Sequence, residues 1–353
     1  MNPDFELAAP KTRRDVLKAI AGMAVGGSVL SGAGWLLTKR GGNLFEVRHE
    51  RTLMQTSVAV NCLSTNIDSA RVAIDHAYAR MAKAAAILTR FDPRSPLSTL
   101  NRQGELINPP SQLHDVLAHA IRFSRITGGA FDVTVLPVLS YIESLPEPVT
   151  LNRRDRSEIA VIRGLVDYRG IELGSDHIAL RRPGMAITLD GIAKGYVVDQ
   201  GIAALKDSGI EYGLVDAGGD VQAFSGPDPS RHWNVGIVDP RDVNAVAEIV
   251  QLRNAALSTS GNYRIFYSTD RRLFHIINPG SGVSPLTYSS VTVMAHQSVI
   301  ADGMSTGSFS LRLGDLSDLM HQQQHEWLVF SRDGTHRWRS RGLPLISGKA
   351  EVL

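Results

Sequence analysis

The chain has 353 residues, 43% hydrophobic and 20% charged, enough for one large domain or two smaller ones with a sizeable core. A formal net charge of +2 gives none of the basic surplus that a nucleic-acid footprint needs, so no nucleic-acid partner is expected. Cys62 is the only cysteine, which excludes an intramolecular disulfide and cysteine-rich zinc or iron–sulfur sites.

The first forty residues differ in character from the rest. Thr12-Arg13-Arg14-Asp15-Val16-Leu17-Lys18 precedes a Gly- and Ala-rich apolar run over 19–37. The arginine pair and the weak apolar core fit a twin-arginine export signal, with Val16 where the pattern usually has Phe. Ser31-Gly32-Ala33 offers small residues for cleavage. An uncleaved anchor helix is the competing reading. The expected division is a signal peptide over 1–33, a linker over 34–45 and one domain over 46–353. The expected partner in export is the twin-arginine translocase, and the expected location is the periplasm.

Along the domain, 51–63 reads as a strand and 69–88 as an amphipathic helix, with Val72, Ile74, Ala77, Met81, Ala85 and Leu88 near helical spacing. Prolines make 91–96 a loop, and 112–126 is a helix stopped at Gly128-Gly129. A solvated helix over 153–161 precedes a hairpin of 166–171 with 177–180. A strand over 186–189 opens into a helix over 193–205. Strands follow at 213–215, 234–238, 248–252, 263–267 and 290–294, then a helix over 299–311 and a strand over 327–331. Strands and helices alternate without a strict βαβ period, which gives an α+β fold. Cys62 falls in an apolar strand-like run, so a buried, inert thiol is expected.

Asp302 and Thr306 lie four apart on a predicted helix, so both oxygens face one way. A carboxylate with a hydroxyl suits Mg²⁺ better than zinc, while a helix cap with packing glycines is the structural alternative. Gly218 and Gly219, in Asp216-Ala217-Gly218-Gly219-Asp220, can turn amides toward a phosphate or simply make a tight turn. Lys194, beside Gly195 at a helix start, favours an anion. His275 enters a Pro/Gly turn, where structural roles outnumber catalytic ones. His114 and His119 lie on a predicted helix and are expected to be solvated. No G-x-G-x-x-G opens a helix, and the G-x-S-x-G spelled by Gly303 to Gly307 lies inside a predicted helix rather than at a strand-to-helix elbow, so NAD binding and serine hydrolysis are unsupported.

Taken in order, these segments resemble the ApbE family of FAD:protein FMN transferases. Met54-Gln55-Thr56 resembles its M-G-T, with Gln55 in place of Gly. The stretch 88–101 resembles its S-x-[FY]-x-P-x-S-x-[LI]-S-x-[LF]-N, and 128–135 its G-G-A-F-D-[PV]-T-V. Asp190 to Tyr196, Asp216 to Asp220, Ser258 to Tyr263, His275 to Gly282 and Asp302 to Thr306 match five further blocks. The resemblance implies a single T-fold-like α+β domain. It implies Mg²⁺ held by Asp302, Thr306 and a carbonyl near Gly191. It implies FAD, as substrate, touching Met54, Phe131, Asp132, Thr134, Asp190, Lys194, Gly218, Gly219, Asp220, Ser260, Gly261 and His275. His275 and Asp302 are the implied catalytic residues, with base and binder both open for His275.

The implied reaction moves FMN from FAD to a threonine hydroxyl of a client flavoprotein, of NosR, RnfG or NqrC type, and releases AMP. A twin-arginine leader resembles in particular the NosX branch. The acceptor motif of such clients does not occur in this chain, which makes it the modifier. Asn278 and Ser281 replace the family's Asp and Thr in D-P-x-T-G, and Asn278 is expected to slow the chemistry without much loss of FAD affinity. A non-catalytic FAD-binding or assembly factor, an FAD pyrophosphatase and a flavin oxidoreductase are the alternatives.

Overall fold

The computed structural model describes residues 35–346 and 350–353. The expected signal peptide, 1–33, lies outside the described residues. In chain order the elements are β1 (Leu36–Gly41), β2 (Leu44–Leu53), β3 (Thr56–Ser64), α1 (Ile67–Leu88), α2 (Pro96–Gln103), β4 (Glu105–Ile107), α3 (Ser111–Ile126), α4 (Leu136–Ser144) and α5 (Arg153–Ile162). They continue as β5 (Ile171–Leu173), β6 (His177–Leu180), α6 (Ala193–Asp207), β7 (Tyr212–Asp216), β8 (Asp220–Phe224), β9 (Trp233–Asp239), β10 (Asp242–Leu252) and β11 (Ala255–Gly261). The last are β12 (Tyr288–Ala295), α7 (Ser298–Ser308), α8 (Leu313–Gln323), β13 (Glu326–Ser331), β14 (Arg337–Arg339) and β15 (Glu351–Val352).

Ten strands form one sheet in the order β1-β2-β3-β7-β8-β11-β12-β13-β14-β15. β9 and β10 pair as a separate hairpin, and β4-β6-β5 make a small third sheet. Strand periodicity sends alternate residues to opposite faces. On β3, Val58, Val60 and Cys62 go under α1, whereas Ser57, Ala59, Asn61 and Leu63 line an open cleft on the other face. Helices α1, α6 and α7 cover the first face. The β9–β10 hairpin packs on the second, where Leu214, Val221, Ile237, Val250, Leu252 and Leu257 share a smaller core.

Helix α1 begins where the Asn66 side chain accepts from the Ser69 N–H at 3.0 Å, a cap worth about 1 kcal/mol. Its buried stripe is Ala70, Ala73, Ile74, Ala77, Met81, Ala84 and Leu88, whereas Val72 faces solvent. Small residues let α6 approach closely: a Cβ on Gly201 would lie 2.8 Å from the Met81 sulfur. Cys62 is buried as expected, and burial pushes its thiol up to about 12.

Several expectations change. The first strand of the hairpin expected over 166–171 begins only at Ile171, as β5, because 3₁₀ turns take 163–165 and 168–170. The run over 51–63 is two strands, β2 and β3, joined at Met54 and Gln55, both with φ in the left-handed region (52° and 59°). The stretch read as a linker, 34–45, contains β1 and the start of β2, paired antiparallel. Residues 186–189 are extended without a ladder, because the Asn101 amide stands in for a partner strand: it accepts from Ile187 N at 2.7 Å and donates to Ile187 O at 2.8 Å. Residues 263–267 bend rather than pair, apart from one bridge between Phe266 and Phe274.

Candidate active site

The cleft between the main sheet and the β9–β10 hairpin has a volume of about 1450 Å³. That exceeds the roughly 300–1,000 Å³ usual for small-molecule sites. Its inner end is built where α6 and α7 meet the β11 terminus. Asp302 on α7 is buried, and its Oδ2 accepts from the Gly195 N–H at 2.9 Å. Gly195 is demanded by this crossing, since a Cβ there would lie 2.3 Å from the Ser298 carbonyl and 2.8 Å from Asp302 Cβ.

One turn on, Thr306 Oγ1 lies 3.1 Å from Ser260 Oγ, which also lies 2.9 Å from Ser305 Oγ. The Gly191 backbone abuts the same threonine: a Cβ on Gly191 would lie 2.8 Å from Thr306 Cγ2 and 3.1 Å from its Oγ1. Asp302, Thr306, Ser260 and the Gly191 backbone thus gather oxygen donors of one hard character. Among the described residues no group of three or more His, Cys, Asp and Glu could hold a metal. A cation here would rest on one carboxylate and neutral oxygens, with ligand phosphates completing the shell, which is the habit of Mg²⁺.

Charge is tightly balanced at this end. Lys194 pairs with Asp220, which is 1% exposed. Burial pulls the Lys194 ammonium down, but Asp220 and Asp302 outweigh it and hold it above its ordinary value. Burial first, and the Asp220 charge second, push the Asp302 carboxyl well above the usual carboxylate range. His275 lines the same cleft, and burial pulls its ring down to about 4, so it is neutral at pH 7. Its Nδ1 has no hydrogen-bond partner.

At the β7–β8 turn, Gly218 and Gly219 have φ of 70° and 109°, open only to glycine without strain. The Gly219 N–H donates to Asp216 Oδ1 at 3.2 Å, and Arg264 Nη1 donates to the Gly218 carbonyl at 3.1 Å. Gly261 is equally constrained, because the Tyr263 ring folds back to within 2.2 Å of where its Cβ would sit.

The structure brings Met54, Phe131, Asp132, Asp190, Gly191, Lys194, Gly218, Gly219, Ser260, Gly261, His275, Asp302 and Thr306 to one cleft wall. Two residues expected to touch FAD are not on that wall. Thr134 is fully buried, where its Oγ1 donates to Asp132 Oδ1 at 2.6 Å and accepts from Asp167 N at 2.8 Å. Asp220 lies beneath the wall as the counter-ion of Lys194. Asn278 also faces away: its Oδ1 accepts from the Ser281 N–H at 3.0 Å inside its own turn, a bond that Asp would make equally well. His114 and His119 are both half-buried rather than solvated.

Sequence reasoning passed over Asp199, Arg90, Glu143 and Tyr267. Asp199 on α6 accepts from the Ser298 and Val299 N–H groups at 2.8 and 2.9 Å, capping the helix that carries Asp302. It lies three residues past the matched block Asp190 to Tyr196, so position could have flagged it. Arg90, Glu143 and Tyr267 line the cleft.

This single mixed α/β domain has the architecture of known flavin transferases. The ApbE protein of Thermotoga maritima superposes with a TM-score of 0.73 at 24% identity, over 87% of this chain and 97% of that one. The flavin transferase ApbE of Vibrio cholerae superposes with a TM-score of 0.70 at 24% identity, over 84% and 97%. In sequence, the FAD:protein FMN transferase of Haemophilus influenzae is 31% identical over 239 residues, covering 64% of this chain and 68% of that protein. That of Salmonella typhimurium is 26% identical over 258 residues, covering 70% and 73%. The ApbE family model matches residues 54–329, and the chain belongs to the ApbE family.

Proposed function

We propose that the chain is a Mg²⁺-dependent FAD:protein FMN transferase, which moves FMN from FAD to a threonine hydroxyl of a client flavoprotein and releases AMP. The observation that carries the reading is the meeting of Asp302, Thr306, Ser260 and the Gly191 backbone at the inner end of a cleft roomy enough for a dinucleotide and an incoming segment. The names of the curated relatives support it.

In this reaction the threonine Oγ attacks the FMN phosphorus. A new P–O ester bond forms, the anhydride P–O bond breaks, and AMP leaves with the bridging oxygen. Mg²⁺ held by Asp302, Thr306 and the Gly191 carbonyl would offset charge on the pyrophosphate. The chain's own residues position the rest. The Gly218-Gly219 turn lets the backbone come close to the ligand, Lys194 faces the cleft with its charge balanced by Asp220, and the neutral His275 ring lines the same end as base or as binder.

The client is of NosR, RnfG or NqrC type, and the enzyme works in the periplasm after twin-arginine export. Purified protein with FAD, Mg²⁺ and such a client domain should give covalent FMN on the client, read by in-gel fluorescence and mass, with one AMP per flavin. FMN and AMP in solution, with an unmodified client, would instead mark a pyrophosphatase. Lysine at both Arg13 and Arg14 should hold the protein in the cytoplasm on cell fractionation. Periplasmic protein in undiminished amount would contradict that route.

A further inference from the structure

Three segments distant in the chain meet at one guanidinium, and a fourth joins through Glu143. Arg90, between α1 and α2, donates from Nε to Asp190 Oδ2 at 2.7 Å. The other edge of its fork donates from Nη2 and Nη1 to the two Glu143 oxygens on α4, at 2.9 and 3.1 Å. The Tyr267 hydroxyl lies 3.4 Å from the same carboxylate. The Arg90 and Glu143 side chains are only 12% and 16% exposed, so the bidentate pair is held away from bulk water. Burial works against the charged guanidinium, but Asp190 and Glu143 outweigh it.

One positive charge here serves two carboxylates, which leaves no surplus to offer a phosphate. Arg90 is therefore a clamp rather than an anion ligand, and what it clamps is the turn before α6. Within that turn the Asp190 N–H donates to Thr188 Oγ1 at 3.2 Å, and the Thr188 N–H donates to the Val133 carbonyl at 2.8 Å. The next residue is Gly191, whose backbone abuts Thr306. With Thr188 and Asp190 tied before it, and the Ile192 N–H after it donating to the Leu189 carbonyl at 3.0 Å, the Gly191 carbonyl has little freedom to rotate.

We propose that Arg90 is a positioning residue: held by Glu143, it fixes Asp190 and thereby aims the Gly191 carbonyl at the cation site beside Asp302 and Thr306. The inference rests on the Mg²⁺-dependent reading above and deepens it. Groups that orient a metal ligand typically change affinity about 10–100-fold when removed. Arg90→Gln and Glu143→Gln should each weaken Mg²⁺ binding by about that factor. Because both act through one clamp, the double variant should be little worse than the weaker single.

The test is Mg²⁺ titration calorimetry on the full chain with saturating FAD and no client, beside FAD affinity measured by flavin fluorescence in EDTA. The expected result is a weakened Mg²⁺ affinity with metal-free FAD affinity unchanged, a split that general loosening of the fold would not give. If Arg90→Gln does not fold, Glu143→Gln, which removes the charge but keeps the side-chain shape, carries the same comparison. Unshifted Mg²⁺ affinity in the folded variants, with wild type binding normally, overturns this inference alone. A matching loss of FAD affinity in EDTA overturns it in favour of direct phosphate contact. Wild-type protein that takes up no Mg²⁺ in the presence of FAD overturns the metal reading and this inference with it.

Discussion

At Asp302 stability and the proposed role in holding Mg²⁺ pull in opposite directions. The carboxylate is buried beside Asp220, and both burial and that neighbour disfavour its charge. An amide at 302 would keep an oxygen for the Gly195 N–H and lose the charge. Asp302→Asn should therefore melt at or above the wild-type temperature while transfer falls by about 10²-fold or more, the scale of losing one preorganised electrostatic contact. A melt scan and the client assay read the two arms, and undiminished transfer would end the assignment. Asn278 invites the opposite expectation. Its Oδ1 serves the backbone of its own turn, and an Asp oxygen would serve it too. Asn278→Asp should leave transfer unchanged and shift stability by no more than about 0.5 kcal/mol, against the slowing read from the sequence. A clear gain in turnover would restore that reading. The sequence supplies an address for such residues but not a direction. Asp302 and Thr306 were legible because helical spacing fixes their direction. Thr134 and Asp220 turn away from the cleft, which their motif positions do not reveal. Arg90 was invisible because its partners lie 53 and 100 residues away.

Helix α7 carries Asp302, Ser305 and Thr306, yet its N-terminus is capped by Asp199 from α6. Burial raises the Asp199 carboxyl to about 6 from 3.8, against the smaller downward pull of the two backbone bonds. Between those values the folded chain holds the proton and the unfolded chain has released it. Stability from this group is thus full at low pH and is lost as pH rises through about 6. At roughly 1.4 kcal/mol for each pH unit between those two values, the whole effect is about 3 kcal/mol at most. Asp199→Asn should flatten the pH dependence of unfolding free energy between about 4 and 6 relative to wild type. Near pH 4 and below it should cost about 1–2 kcal/mol, since one amide oxygen cannot accept both N–H groups, and that cost should shrink or reverse as pH rises through about 6. Parallel pH profiles in chemical denaturation would refute the assignment. At this scale long apolar periodicity made α1, α3 and α6 legible to within two or three residues. The β2–β3 turn was not legible, because Met54 and Gln55 take left-handed φ where a glycine signal would be sought. Helix α2 was hidden behind prolines read as loop, although Pro96 sits at its first turn after the Ser95 cap.

Across the whole molecule, the family match begins at residue 54, but the described fold begins earlier. Strand β2 buries Val47 and His49 against α1, with the Tyr78 hydroxyl donating to the His49 carbonyl at 2.8 Å. Its other face presents Arg48 and Glu50 to the cleft. β2 also covers the edge of β3, whose sequence Thr-Ser-Val-Ala-Val-Asn-Cys-Leu-Ser is apolar and rich in strand-forming residues. An α+β class was readable from the alternation of elements, whereas this dependence was not, because strand order is a non-local property that local pattern does not encode. Removing the first 53 residues should expose β3 as a long, flat, apolar edge, the feature that templates aggregation. A chain beginning at Trp35 should unfold cooperatively at the wild-type temperature and bind FAD with wild-type affinity. One beginning at Met54 should aggregate or lose its cooperative transition, even though every matched motif remains. Light scattering, a thermal melt and flavin fluorescence on the two truncations make the comparison. A monomeric 54–353 chain with native FAD affinity would show that β1 and β2 are dispensable and that the motif-bearing segments fold without them.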